Sequence, residues 1–324
     1  MAKGLVVVTG GCGFIGSEVV RVLLQKDYRV RVVDNRSKAG QTPPVGVEFV
    51  EADLTDPRTA RQAFEGSEYC IHLAAKIGGI GYFHKYPATI LSENDRICSS
   101  VFEAAVAHRL RQMVYVSSSM VFESTDRFPS SEKDLATSPP PISAYGFSKL
   151  VGEWYCRAYW EEFRLPYTVL RPFNAFGINE APEEEPGVAH VIPDLAKKML
   201  EGQDPLEILG DGEQRRCFTH VRDIAEAFPL VLGNDRARNE DFNLGSERET
   251  SIKELARLLH RLIRPEQPFR LRSLPAYELD VRRRVPEVTK ARTVLGWHAR
   301  ISLEEGLPEV VEWLREKQLS GFSP

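Results

Sequence analysis

Cysteine is scarce: the 324 residues hold 5, namely Cys12, Cys70, Cys98, Cys156 and Cys217. An odd number with no closely spaced pair excludes a zinc knuckle, a CxxC redox pair and a disulfide framework. It predicts a reducing, cytoplasmic setting, and no metal site is expected. An excess of charge of either sign is also missing. Lys and Arg number 42 against 46 Asp and Glu, so no bulk basic field exists to recruit nucleic acid or anionic lipid, and neither is expected as a partner. Long apolar runs are absent. No stretch approaches the roughly 18 residues of a membrane span, and the run 5–8 after Met1-Ala2-Lys3-Gly4 is too short for the core of a secretion signal. No internal repeat is present. What remains is an ordinary globular balance, 42% hydrophobic and 27% charged, which excludes a disordered or fibrous chain. The length suits about two domains, or one large α/β domain with an appendage. Either can bury a full core without disulfides.

The first half of the chain alternates strand and helix signals. Residues 5–9 form a continuous apolar, β-prone run, as expected of a strand buried on both faces. A glycine-rich turn over 10–16 leads into 14–25, where Ile15, Val19, Val20, Val22 and Leu23 recur at helical spacing. Further strands are predicted at 30–33, 47–50, 69–73, 113–116 and 167–170. Helices are predicted after Asp56-Pro57, a cap followed by proline in the first turn, and over 88–108 and 144–163. This alternation predicts an α/β fold with a parallel sheet covered on both faces. The segment 128–141, rich in Pro, Ser and charge, reads as a surface loop. Beyond Pro172 the texture changes: 180–187 is an acidic, proline-broken loop, and helices are predicted near 193–201, 252–262 and 303–316. The tail 320–324 is expected to fray.

The strongest local motif is Thr9-Gly-Gly-Cys-Gly-Phe-Ile-Gly-Ser17. Gly10, Gly13 and Gly16 follow a strand and open a helix, giving a tight turn, a backbone that can approach a pyrophosphate and a close helix–strand contact. The helix N-terminus adds open N–H groups and partial positive charge. Asp34 ends the second strand at the distance expected for a residue that accepts hydrogen bonds from the adenine ribose; its charge repels a 2′-phosphate, so NAD is favoured over NADP. Arg36 argues the other way, because an arginine there can grip that phosphate, but Asp34 sits at the strand end itself. Asp53-Leu54 ends the third strand and could flank the adenine, or Asp53 could simply cap its loop.

A second constellation is Tyr145-Gly-Phe-Ser-Lys149, with Ser117-Ser118-Ser119 after the fifth strand. Tyr145 and Lys149 are four apart on a predicted helix and so share a face. Tyrosine, with an ordinary pKa of about 10, is a poor base at neutral pH. A neighbouring ammonium favours its phenolate, and a serine hydroxyl can hold the substrate oxygen whose proton moves.

Together these residues resemble the extended short-chain dehydrogenase/reductase superfamily, in its nucleotide-sugar epimerase and dehydratase branch, over nearly the whole chain. The matching pieces are TGGCGFIGS at 9–17, Asp34, HLAAK at 72–76, Asn94, SSSMVF at 117–122, YGFSK at 145–149, RPFNAFG at 171–177, GDGEQRRCFTHVRD at 210–223 and PEVTKARTVLGW at 286–297. The resemblance implies a Rossmann-type, doubly wound parallel sheet with a smaller C-terminal α/β substrate-binding lobe. Residues 1–172 would form the NAD-binding domain, with sheet strands returning from segments near 215–245, and 173–324 would be mainly the lobe. It implies Ser118, Tyr145 and Lys149 as the catalytic trio, Lys149 also binding the nicotinamide ribose. NAD would be held by Gly10, Gly13, Phe14, Ile15 and Gly16, by Asp34, Asn35, Asp53 and Leu54, and by Leu73, Ala74, Ala75 and Lys76. Asn94, Ser117, Tyr145, Lys149 and Pro172 would complete that site. A nucleotide-diphosphate sugar would meet Lys76, Gly78, Gly79, Ser118, Ser119, Met120 and Tyr145, with Asn174, Val191, Arg216 and Arg282 toward its diphosphate and nucleotide. A homodimer is implied, formed by the helix carrying Tyr145 and Lys149 with the helix near 94–108, although Val101, Val106, Leu150 and Trp154 could serve the monomer core equally well.

Departures from the resemblance narrow the chemistry. The 4,6-dehydratases carry Thr-Asp-Glu where this chain has Ser118, Ser119 and Met120, and methionine transfers no proton. The Glu of the sugar-acid decarboxylases and the Cys of the GDP-mannose 3,5-epimerases and GDP-fucose synthases are missing from the Met120 position too. A His that follows strand six in the fucose synthases corresponds to Asn179. Against this, the glycine-rich stretch 74–81 looks like the substrate loop of the last two families, which keeps them as alternatives, and Lys76, His84 or Cys98 could in principle carry protons. Lys76 reads more simply as a phosphate or surface lysine. Phe122 replaces the usual Tyr. Tyr277, near Asp280, replaces an Arg that normally grips the diphosphate; Arg282 to Arg284 could substitute, or form a solvated loop. What remains is hydride and proton transfer at one alcohol carbon, and the simplest proposal is a 4-epimerase that oxidises the sugar and re-reduces it on the opposite face. A cycle at C2, or a dehydrogenase or ketoreductase that exchanges its cofactor, would use the same trio. A non-catalytic nucleotide sensor is disfavoured because both Tyr and Lys are present.

Overall fold

A computed structural model describes residues 3–37, 42–180, 182, 189–276 and 281–319. Its main sheet has seven strands: β1 (Lys3–Thr9), β2 (Tyr28–Asp34), β3 (Glu48–Glu51), β4 (Tyr69–His72), β5 (Gln112–Val116), β6 (Tyr167–Pro172) and β7 (Glu240–Leu244). They lie in the order β7-β6-β5-β4-β1-β2-β3, and every neighbouring pair is parallel. The order reverses between β1 and β4, so the crevice where a doubly wound sheet holds its ligand opens above the ends of these two strands. The expected Rossmann-type sheet is the observed one.

The continuous apolar strands are explained by the two faces they fill. Val6 and Val8 of β1 enter one core with Val30 and Val32 of β2, while Val7 and Val33 enter the opposite core, the period-2 alternation of a strand. The first core is covered by α1 (Phe14–Gln25), and the second by α2 (Pro57–Ala63), α4 (Pro87–Ala107) and α5 (Ala144–Phe163), with the short α3 (Ile80–Lys85) before α4. A third core gathers α6 (Val191–Leu200), α9 (Ile252–Ile263) and α10 (Leu303–Leu319) around Phe176, Leu206, Ile208 and Phe218. Between these, α7 (Val221–Glu226) and α8 (Phe228–Val231) return to the α1 face through Ile224, Phe228 and Val231. Short ladders pair Arg215–Arg216 with Thr250–Ser251 and Arg283–Arg284. Among the described residues, no helix is long and apolar enough to cross a membrane. Also among them, no cluster of His, Cys, Asp or Glu is placed to hold a metal ion.

Two expectations need correction. The segment 128–141 is not a mere surface loop. Ser130 and Glu132 are buried; Ser130 N donates to Val285 O at 2.8 Å, Glu287 N donates to Ser130 O at 2.9 Å, and Glu132 Oε1 accepts from Asn243 N at 2.8 Å. A buried backbone amide needs an acceptor, and this strap supplies it to β7. Pro and Ser signalled irregular backbone correctly but said nothing of exposure. The glycine stretch 74–81 is not loop throughout, because its end already belongs to α3. Of the acidic loop 180–187, only Glu180 and Pro182 fall within the described residues; Tyr277, Asp280 and the tail 320–324 lie outside them.

Candidate active site

The glycine turn is built by close approach. Gly10 has φ 70°, and a Cβ there would fall 2.8 Å from Ala74 N. A Cβ on Gly16 would fall 2.1 Å from Gly10 O, so α1 can sit on the turn only as glycine. Gly13 caps α1 without any side-chain hydrogen bond, which leaves the first N–H groups of Phe14, Ile15 and Gly16 to an anion. The end of β4 lies alongside: Leu73 N donates to Thr9 O at 3.2 Å and Ala74 N to Thr9 Oγ1 at 3.2 Å, bringing Leu73, Ala74 and Ala75 to the same crevice.

Asp34 is nearly buried. Its Oδ2 accepts from Cys12 N at 3.0 Å and its Oδ1 from Arg36 N at 2.8 Å. Each oxygen keeps a lone pair for a further donor, which suits two ribose hydroxyls. Asn35 follows directly, its side chain accepting from Ser37 N. Arg36, the possible grip for a 2′-phosphate, is paired with Glu51 at 2.5 Å and lies over the Phe49 ring, so its charge is already answered. Asp53 caps its own loop, Oδ1 accepting from Thr55 N and Thr55 Oγ1 at 2.9 and 2.8 Å; the Leu54 side chain enters the core. A cradle that excludes Cβ atoms, an open helix N-terminus and a carboxylate at the second strand end fit a dinucleotide such as NAD.

Asn94 of α4 works as a clamp. Its Oδ1 accepts from Lys76 N at 2.6 Å, and its Nδ2 donates to Lys76 O at 3.2 Å and to Ser148 Oγ at 3.0 Å. The Lys76 ammonium is 3.5 Å from Glu93. Gly78 and Gly79 follow, Gly79 capping α3.

Ser118, Tyr145 and Lys149 converge because α5 seats on the turn after β5. Ser118 caps the single 3-10 turn Ser119–Phe122, its Oγ accepting from Met120 N at 3.2 Å. Ser143 caps α5, accepting from Gly146 N at 3.0 Å, and a Cβ on Gly146 would fall 2.8 Å from Met120 O. This close seat carries the Tyr145 hydroxyl to Ser118. Burial pushes Tyr145 up to about 12, against the pull of its hydrogen bond to Ser118 and the charge of Arg284. Lys149 Nζ donates to Val116 O at 2.9 Å and lies 5.9 Å from the Tyr145 ring centroid. Burial brings it down to about 8, slightly offset by Cys98. Beneath it, burial keeps His72 neutral, down to about 3. Ser119 and Met120 are buried, and Met120 packs with Tyr145.

The buried ammonium has a measurable cost. In the unfolded chain Lys149 keeps its proton to about pH 10.5, in the native protein only to about 8. Between these values the unfolded state holds the extra proton, so native stability rises with pH across that window, and the full penalty is present below it. Lys149→Met, which keeps the volume and drops the charge, is expected to stabilise the dinucleotide-free protein at pH 7 by on the order of 2 kcal/mol and to abolish turnover. Urea unfolding at pH 7 and pH 10 checks this: the gain should shrink at the higher pH, and a destabilised variant at pH 7 would refute it.

The remaining sequence candidates separate. Ser117 Oγ donates to Glu153 Oε1 at 2.6 Å, a contact directed into the protein, and Pro172 is the buried end of β6. Asn174, at φ 36°, has a buried Nδ2 with no hydrogen-bond partner, an orphan donor of the kind a ligand oxygen satisfies. Val191 opens α6 against the third core. Arg216 lies on the short strand paired with Arg284. The arginine run divides: Arg282 forms a two-pronged pair with Asp211 at 2.8 and 3.1 Å near the surface, and Arg283 pairs with Glu249. Arg284 is the member whose charge reaches Tyr145, while Arg282, expected beside the diphosphate, is held at Asp211. Arg282 precedes the short strand Arg283–Arg284, and the three arginines are told apart by their partners. The sequence also gave no hint of Glu153, one helical turn beyond Lys149, which is buried against Arg171.

The chain matches the NAD dependent epimerase/dehydratase family over residues 6–245. It is 31% identical to a UDP-glucose 4-epimerase of Mycolicibacterium smegmatis, across 96% of this chain and 98% of that one. It is 30% identical to a UDP-N-acetyl-alpha-D-glucosaminuronate decarboxylase of Bacillus cytotoxicus, across 95% and 97%. Among solved structures, a UDP-glucose 4-epimerase of Thermotoga maritima with UDP-glucose superposes with a TM-score of 0.86 at 32% identity, covering 97% of this chain and 99% of that one. With its sheet order, glycine cradle and Ser118–Tyr145–Lys149 arrangement, the chain belongs to the NAD dependent epimerase/dehydratase family, an extended short-chain dehydrogenase/reductase.

Proposed function

We propose that this protein is a nucleotide-sugar epimerase that inverts C4 of the sugar through a keto sugar. The observation that carries this is the Met120 side chain, packed on Tyr145 where the dehydratases and decarboxylases of the resemblance place an acid. The site can move one proton at an oxygen but has no group there for removing water or carbon dioxide. Ser118 holds the oxygen of the sugar hydroxyl and Tyr145, as phenolate, takes its proton. Burial holds the Tyr145 phenol up at about 12 in the dinucleotide-free protein, and the ammonium of Lys149 with the positive charge of a bound oxidised nicotinamide would favour the phenolate. NAD, held by the glycine turn and Asp34, supplies the acceptor and then the donor of the hydride. The sugar turns over between the two transfers. The orphan Nδ2 of Asn174, with Arg216 and Arg284, serves the diphosphate; Lys76, Gly78, Gly79 and Val191 border the sugar and nucleotide. Residues 173–324 contribute mainly to that side and 1–172 to the NAD side.

The same reading extends to a cytoplasmic homodimer. All five cysteines are free and buried, as a reducing compartment allows. Leu91 of α4 and Phe147, Trp154 and Phe163 of α5 are exposed, Trp154 at 61%, an apolar face of the kind that a partner covers. Of the four residues the sequence suggested for this face, Val101 is fully buried in the core and Val106 and Leu150 are partly buried; only Trp154 points outward.

Denaturing the purified protein and weighing the released dinucleotide by mass spectrometry tests the closed redox cycle. Near one NAD per chain, with isomerisation of UDP-glucose or another nucleotide sugar and no added cofactor, is the expected result. Released NADP, or turnover that requires added cofactor, would replace the epimerase with a dehydrogenase or ketoreductase.

A further inference from the structure

The Tyr145 ring is covered. Phe83 of α3 lies flat on it, with centroids 4.8 Å and planes 8° apart, and Tyr145 is only 5% exposed. Ile90 and Met120 complete the buried cluster, with Ile77 and Tyr82 packed against it. The element that carries Phe83 is held at both ends. Before it, Asn94 bonds both the N–H and the C=O of Lys76, and α4 begins at Pro87 directly after it. At its entry, a Cβ on Gly78 would fall 2.6 Å from the Tyr82 side chain, so the chain turns toward α3 at a point that leaves no room for a side chain. Where this segment meets Tyr145, Phe83 makes the contact ring on ring.

We propose that Phe83 is a positioning residue for the proton transfer: its ring blocks the swing of the Tyr145 ring toward α3, holds the hydroxyl at Ser118 and keeps water off the ring face. The glycine segment that borders the sugar and the tyrosine are thereby set as one unit. A buried phenol ring has no polar anchor except its oxygen, so its lateral position rests on the packing of its faces. Met120 and Ile90 are flexible or slender by comparison, whereas Phe83 lays a flat ring on Tyr145. This inference rests on the reading of Tyr145 as the proton-transfer group.

Two measurements test it on the purified protein with its own dinucleotide. The first is nitration with tetranitromethane followed by peptide mass mapping, which needs no substrate. Tyr145 should stay unmodified in the wild type while the exposed Tyr86 reacts, and should become reactive in Phe83→Ala. The second is turnover of UDP-glucose, with kcat and KM read separately. Phe83→Ala should lower kcat about tenfold with KM within about threefold and dinucleotide content unchanged. Phe83→Tyr should restore the rate, because it restores the ring, and Phe83→Leu should fall between them and stands in if the alanine variant does not fold. Nitration of Tyr145 in the wild type as fast as Tyr86 would overturn the proposal. So would a wild-type kcat in Phe83→Ala when Tyr145→Phe is inactive. Full activity in Tyr145→Phe would remove the underlying reading, and this inference with it.

Discussion

In Tyr145→Phe, kcat for nucleotide-sugar isomerisation is expected to fall by about 10³-fold, with the dinucleotide still bound. The substitution removes one oxygen. The ring, its stack on Phe83 and its packing on Met120 and Ile90 remain, so the site keeps its shape. The oxygen lost is the one hydrogen-bonded to Ser118, and among the other members of the buried cluster, Ile90, Met120 and the partly buried Ile77, Tyr82 and Phe83, only Tyr82 carries a hydroxyl. Water has no easy way in, because Tyr145 is almost fully covered. The loss of one neutral hydrogen bond costs about 1 kcal/mol, too little to unfold the protein. Progress curves by nuclear magnetic resonance, together with dinucleotide content, decide the matter. A rate within threefold of wild type, or loss of dinucleotide in step with activity, would mean that Tyr145 is structural.

The largest stability effect is expected beneath the same helix. Arg171 of β6 is fully buried. Its Nε and Nη2 donate to the two oxygens of Glu153 at 2.7 Å each, and Nη2 also donates to Asp241 at 2.7 Å. Lys290 completes the group, 2.7 Å from Asp241 and 2.8 Å from Glu240. Glu153 also accepts from Ser117 Oγ, so one carboxylate ties α5 to the end of β5 and, through Arg171, to β6 and β7. Arg171→Met would leave Glu153 buried with no cation beside it, and should destabilise the protein by about 3–5 kcal/mol. The double variant Arg171→Met with Glu153→Met should recover much of that loss, because no uncompensated charge is left. Equilibrium urea unfolding of the two singles and the double gives the coupling directly; a single-variant loss below about 1 kcal/mol would show that solvent reaches the pair. The acid side follows the same logic. Burial raises Asp241, but Arg171 and Lys290 outweigh it and bring the carboxyl down to about 2 from its ordinary 3.8. Its contribution is fully present above about pH 4 and disappears as the pH falls through about 2.

The network also shows how unevenly the site could be read in advance. Glycine positions, the Asp34 strand end and the four-residue spacing of Tyr145 and Lys149 were all legible, because each depends on residues within a turn or two of one another. The strap 128–141 was misread, because Pro and Ser report backbone irregularity and the buried acceptor it supplies to Asn243 lies more than a hundred residues away. Asp53 was left open between two uses and caps its own loop, a contact made within two residues.

Thus the alternation of apolar strands and amphipathic helices, the glycine turn and the shared helix face of Tyr145 and Lys149 came from local order: strand period, helical period and the small reach of a turn leave few alternatives. Ser118 as their partner came from the family resemblance. Which arginine faces Tyr145, where Glu153 finds its cation and what lies on the tyrosine ring came from the packing of segments far apart in the chain. Charge and aromatic contacts act through space, and their partners are set by how β5, β6 and β7 align and how α3 and α5 close over them, which no spacing along the chain encodes.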